Sequence, residues 1–230
     1  MNEYAPKRRR ALIALLLLAP IPSLGVIVAM VVAPGPVGTT FFMMAKVWLL
    51  VFPAAWYVLV EKGQPSWSPP HRGGLAIGAV SGMLLAAAIV VGVWLVGVQN
   101  MDLAPLRTEV REMGLNSAVP YVAGAAGWTF VNSLMEEYVY RWFIFRQCET
   151  LMKGAVAVIA SAAIFTAHHV IAVSQYLDPG FAILASAGVF AGGLVWSWLY
   201  LRYRSIWPGW ISHVLADVAV FGVGGYLLFG

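Results

Sequence analysis

Residues 133–141 read Ser-Leu-Met-Glu-Glu-Tyr-Val-Tyr-Arg, so two adjacent carboxylates, Glu136 and Glu137, are followed by Arg141 four residues past the second. The flanking sequence is apolar, and residues 118–145 exceed the roughly 20 residues that a helix needs to cross a bilayer. A charge at mid-bilayer costs about 2.5–3.5 kcal/mol on insertion scales, so such residues face a bundle interior and find partners there. The stretch therefore reads as one helix of a membrane-embedded bundle with a polar centre.

The rest of the chain agrees. Of 230 residues, 61% are hydrophobic and only 10% charged, with a mean hydropathy of +0.81. Soluble domains carry roughly 25% charged residues, so the composition excludes a sizeable soluble domain. Cys148 is the single cysteine, which excludes an intramolecular disulfide and a cysteine-based metal site. Ten Trp and nine Tyr suit two interfacial aromatic belts. The net charge of +4 calls for no nucleic acid, because the basic residues fall in membrane-flanking loops.

Seven segments qualify as spans: 11–33, 39–60, 75–98, 118–145, 155–174, 181–201 and 206–229. The expected fold is all-α, a polytopic transmembrane helical bundle of about seven spans, its active site in the core of the C-terminal four helices. Residues 1–117 make three N-terminal helices and a polar outer connection (102–117), and residues 118–230 carry the charged helices. Lys7–Arg10 followed by a Leu run resembles a signal peptide, but the apolar run continues to Ala33, which favours an uncleaved signal anchor. With the N-terminus inside, Lys7, Arg8, Arg9, Arg10, Lys62, Arg72, Arg146, Lys153, Arg202 and Arg204 fall on the inner side, and Arg107 and Arg111 on the outer. Ten against two is a positive-inside bias that predicts an odd number of spans and an outer C-terminus.

The ionisable residues inside spans are Lys46, Glu136, Glu137, Arg141, His168, His169, His213 and Asp217. Glu137/Arg141 and His213/Asp217 stand at i,i+4, so each pair shares a helix face. Glu137 and Arg141 can neutralise each other and brace the helix. Glu136, about 100° away, has no such partner, and a lone carboxylate in a partly wet apolar pocket suits a general base. His168 and His169 form the second polar island; a single buried His is commonly a satisfied core residue, and only one of two neighbours is expected to face a given cavity. The third island, Ser212 to Asp217, follows Pro208-Gly209 and allows a His–Asp hydrogen bond that fixes a tautomer. At about 1.5 Å per residue, Glu136 lies ~15 Å and His213 ~10 Å from the inner boundary, against ~24 Å for His169, so tilt, a kink or a later helix start is needed to level them. Together the islands supply a base, a water-holder and an oxyanion stabiliser that meet only in a bundle core, which is what hydrolysis within a bilayer requires. Lys46 reads as structural, snorkelling outward or pairing with a bundle carboxylate, and Trp128, Tyr138 and Tyr140 as packing or cavity wall.

The three islands, Glu136-Glu137-x-x-x-Arg141, Phe165-x-x-x-His169 and His213-x-x-x-Asp217, resemble the motifs of the CPBP family of intramembrane glutamic-type proteases, which includes the type II CAAX prenyl endopeptidases and Abi-like proteins. The resemblance covers about residues 118–229; the first three spans match only as hydrophobic helices. It implies that Glu136 is the catalytic carboxylate, that His169 (or His168) holds the attacking water, and that His213 and Asp217 form the oxyanion-stabilising pair. Glu137 and Arg141 would brace the site. The family's last position is commonly Asn; an ionised Asp cannot donate to an oxyanion, so Asp217 is either protonated or, the favoured reading, orients His213. No cofactor is favoured, since the zincin pattern His-Glu-x-x-His is absent. A divalent metal such as zinc stays open, on Glu136, His169 and His213. The implied partners are membrane lipid and a membrane-associated, lipidated or hydrophobic protein or peptide substrate, and the implied location is a bacterial plasma membrane. A proton-coupled transporter using the same residues as a relay, and a non-enzymatic scaffold or immunity protein, are the competing readings. The transporter is disfavoured by the lack of an internal repeat.

Overall fold

Pro20 and Pro22 interrupt the first apolar run, and in the computed structural model they separate helix α1 (Tyr4–Leu18) from α2 (Ile21–Ile27). A π-helical turn, Val28–Val32, continues α2. The structure describes residues 4–97 and 103–230, excepting the side chains of 4, 105, 106 and 109. Val98 and Asp102, where the third span and the outer connection were expected to end and begin, lie outside the described residues. The remaining helices are α3 (Pro36–Leu59), α4 (Leu75–Val96), α5 (Ala104–Glu112), α6 (residues 118–151), α7 (Ala155–Val173), α8 (Pro179–Tyr203) and α9 (Trp207–Phe229).

Prolines set several starts. Pro36, Pro179 and Pro208 sit in the first turns of α3, α8 and α9, where the missing N–H has no intrahelical acceptor to lose. Six helices among the described residues are long and apolar enough to cross a membrane. The remaining expected span, the fourth in chain order (118–145), is α6, helical throughout but carrying Glu136, Glu137 and Arg141. It also runs past Phe145 to Leu151 and changes pitch twice, with π-helical stretches at Gly127–Asn132 and Glu137–Phe145.

Helix α6 is the axis of the bundle. Val139, Tyr140, Phe143, Ile144, Phe145 and Cys148 along it are all buried, and they share one core with Ala14 and Leu18 of α1, Leu49 and Phe52 of α3, Phe165 of α7 and Leu199 of α8. Carbonyls loosened by the π pitch find donors on other helices: Ser161 of α7 donates to the Tyr140 carbonyl at 3.2 Å and Trp210 of α9 to that of Phe130 at 3.2 Å. Helix α4 lies along α9 through small residues. A side chain at Gly78 or Gly82 would collide with the backbone of Pro208 or Ser212, the close approach that a small-xxx-small spacing permits.

Basic residues gather at one end of the bundle. Arg10 donates to the Val60 carbonyl at 3.4 Å, Arg146 lies 3.6 Å from Glu61, and Arg204 makes two 2.6 Å bonds to Glu149. These belong to the set expected on the inner side. Large hydrophobic side chains such as Leu16, Val51, Leu84 and Ile183 are exposed on the outside of the helices, which suits a lipid surround.

Candidate active site

The π-helical stretch that begins at Glu137 turns Glu136, Glu137, Tyr140 and Arg141 inward together. π-Helical segments inside α-helices recur at functional sites because they re-aim side chains. Glu137 and Arg141 are fully buried, and Glu136 is nearly so at 7% exposure. Facing them are His168 and His169 of α7 and His213 and Asp217 of α9.

The structure brings all the expected residues together. Ligand atoms of Glu136, His168 and His169 all lie within 4.8 Å of one another, and His213 Nε2 is 3.6 Å from Glu136 Oε2. The expected difference in depth closes between Glu136 and His169, because α6 continues to Leu151 rather than stopping at Phe145; for His213, six residues after Trp207, it stays, and the 3.6 Å contact with Glu136 shows that counting along a helix does not measure depth here. Glu136 then lies fifteen residues before Leu151, and His169 fourteen after Ala155, about 22 and 21 Å at the usual rise.

Three expectations change. First, both neighbouring histidines reach the carboxylate, not one. Their ring centroids are 4.0 Å apart, and each ring has its own anchor: His168 Nδ1 meets the Tyr140 hydroxyl at 3.1 Å, and His169 Nδ1 donates to the Phe165 carbonyl at 3.0 Å. A carbonyl only accepts, so the neutral His169 ring keeps its lone pair on Nε2. Tyr140 is thereby a site residue rather than packing alone.

Second, His213 is oriented by Glu137, not by Asp217. Its Nδ1 donates to Glu137 Oε1 at 3.1 Å, whereas Asp217 lies 3.8 Å from Nε2, beyond hydrogen-bond distance. The indole of Trp196 stacks on the imidazole at 3.7 Å between centroids. Glycine at 209 allows this arrangement, because a Cβ there would run into the Glu137 carboxylate. Third, among the described residues the group spaced so that it could hold a metal ion is Glu136, His168 and His169, where the expected set had His213 in place of His168.

Arg141 is fully buried, and its Nε lies 3.6 Å from Glu137 Oε1. None of its nitrogens has a hydrogen-bond partner among the described residues. Its guanidinium packs instead against Phe165 at 4.5 Å and Trp196 at 5.2 Å, faces that attract a desolvated cation. The pair expected to brace the helix thus lies within ion-pair distance, with aromatic rings around the guanidinium.

Two further residues belong to the constellation. Asn132, one turn before Glu136, donates through Nδ2 to Glu136 Oε1 at 2.9 Å and accepts at Oδ1 from Lys46 Nζ at 2.6 Å. Lys46 therefore meets the carboxylate through an amide rather than directly, and it comes from α3, outside the C-terminal four helices. Asn132 stands at i,i+4 to Glu136, the same spacing that pairs Glu137 with Arg141, so that rule applied to uncharged amides would have found it.

Residues 118–219 match the family model described as Type II CAAX prenyl endopeptidase Rce1-like. The matched stretch takes in all three motifs and ends two residues after Asp217, and it bears out the resemblance carried by those motifs. No curated protein and no solved structure matches the chain.

Proposed function

We propose, with the Rce1-like match of residues 118–219 as premise, that this chain is an intramembrane endopeptidase. It hydrolyses a peptide bond in a membrane-associated, lipidated or hydrophobic protein or peptide. The observation that carries the reading is the convergence of the buried Glu136 carboxylate with half-buried His168 and His169 and buried His213 in one cluster.

A water between Glu136 and His169 gives a proton to the Glu136 carboxylate as its oxygen attacks the scissile carbonyl. His213, protonated on both nitrogens, keeps one N–H on Glu137 and turns the other towards the developing oxyanion. Fixed donors of this kind stabilise charge that appears only in the transition state. Collapse of the tetrahedral intermediate breaks the C–N bond, and the proton held by Glu136 passes to the leaving amine. Asp217, on the Nε2 side of His213, balances the imidazolium charge.

A second reading rests on the spacing of Glu136, His168 and His169, which could hold a divalent ion such as zinc; a set of two His and one Glu is a recognised zinc-ligand set. Bound there, the ion would supply Lewis-acid activation of water. Metal analysis of the purified protein, with cleavage measured before and after chelation, decides between the two.

The function itself is tested by reconstituting wild type, Glu136→Gln and His213→Ala in liposomes with a panel of lipidated and hydrophobic peptides. Cleavage by wild type, with losses of about 10²–10⁴-fold in Glu136→Gln, supports the proposal. Equal cleavage by all three, or none by wild type, contradicts it, and proton-driven uptake would indicate a carrier instead.

A further inference from the structure

Lys46 is an ammonium group on a membrane helix, and the site just described has no step for it. Its surroundings are specific. Nζ donates to Asn132 Oδ1 at 2.6 Å and lies over the rings of Phe42 at 5.4 Å and Trp128 at 5.5 Å, which replace part of its hydration. An ammonium only donates and a carboxylate only accepts, so an amide between them has one workable orientation, oxygen to Lys46 and nitrogen to Glu136. Lys46 thus sets the direction of the amide, and the amide holds Glu136 Oε1 at 2.9 Å. The other carboxylate oxygen, Oε2, is left facing His213 at 3.6 Å.

We infer that Lys46 and Asn132 act as a positioning pair that clamps one oxygen of Glu136 and presents the other to the reacting water. This rests on the endopeptidase reading above. The bland alternative is a pin that ties α3 to α6 and has no bearing on chemistry. The two differ in what they cost: a pin matters to stability, whereas a clamp matters to turnover. Misplacing a reacting group by about 1 Å can cost of the order of 10²-fold in rate.

The experiment uses the full chain in liposomes with any peptide that wild type cleaves and Glu136→Gln does not. Lys46→Met, Lys46→Arg and Asn132→Asp are compared for kcat, KM and thermal melting. Asn132→Asp is the sharpest of the three, because in its ionised form, paired with Lys46, it keeps the shape yet can no longer donate to Glu136. The clamp predicts a kcat roughly 10- to 100-fold lower in Lys46→Met and Asn132→Asp. KM and melting stay near wild type, and Lys46→Arg, still a donor, recovers most of the rate. Wild-type kcat in Asn132→Asp, or losses in kcat that only follow losses in melting temperature, overturns the clamp while the endopeptidase reading stands. Should Lys46→Met fail to fold, Asn132→Asp and Lys46→Arg decide the matter alone. A wild type that cleaves nothing removes the endopeptidase reading and the clamp together.

Discussion

Glu136 and Glu137 are neighbours in the chain with opposite obligations. Glu137 is fully buried between the Arg141 guanidinium at 3.6 Å and the His213 Nδ1–H at 3.1 Å, so its charge is matched within the protein. Removing one partner of a buried pair leaves the other uncompensated, which typically costs about 3–5 kcal/mol. Glu137→Ala is therefore expected to lower stability by about that much, as measured by thermal melting or denaturant unfolding in detergent. Glu136→Gln keeps the shape and can still accept from Asn132, so it is expected to melt close to wild type while losing cleavage. Equal melting of the two variants would contradict this division of labour. Much of it is legible from the i,i+4 rule, which pairs Glu137 with Arg141 and leaves Glu136 over. The role of Glu137 towards His213 is not legible, because it depends on a helix 76 residues away in the chain.

At the scale of elements, the seam between α4 and α9 places His213. Ser212 accepts from the Trp196 indole and from the Ser81 hydroxyl, both at 3.1 Å, so α8, α4 and α9 meet one residue from the imidazole. Helix α4 can come this close only because positions 78 and 82 are glycine; a Cβ at Gly82 would lie 2.8 Å from the Ser212 Cα. Gly82→Leu is expected to destabilise the bundle by about 1–3 kcal/mol, the usual effect of overpacking, and to lower cleavage by shifting Ser212 and with it His213. Gly92→Leu, on the same helix where nothing lies within 4 Å of a built Cβ, is expected to change neither. Similar melting curves for the two variants would show that the seam is not tight. Helix boundaries follow well from apolar runs and from prolines at first turns. The π-helical stretches do not, since hydrophobic patterning is blind to a local change of pitch that brings Glu136, Tyr140 and Arg141 to one centre.

Across the whole molecule, the element that decides the number of spans is α6. Six helices among the described residues meet the length and hydropathy of membrane spans, and α6, which carries Glu136, Glu137 and Arg141, is not one of them. Its burial at the centre of the core argues that it crosses with the others, which would give the seven spans expected from the apolar segments and the odd number expected from the positive-inside pattern. Exposed Ser117 and Lys153 flank it, while the native Cys148 is buried and gives little background. In sealed vesicles of known sidedness, an impermeant thiol reagent is expected to label Ser117→Cys from outside and Lys153→Cys only after lysis. Labelling of both from one side would mean that α6 does not cross. Charge distribution and apolar length made the bundle readable at this scale, whereas Lys46 escaped assignment because its partner, Asn132, is uncharged.

The central claim is that Glu136 activates the water that hydrolyses a substrate bond inside the membrane. Its most direct test is single-turnover cleavage of one lipidated peptide in liposomes by wild type and by Glu136→Gln, with both proteins matched for melting temperature. The account predicts product from wild type and a rate lower by about 10²–10⁴-fold in Glu136→Gln. Cleavage by Glu136→Gln at the wild-type rate would contradict it.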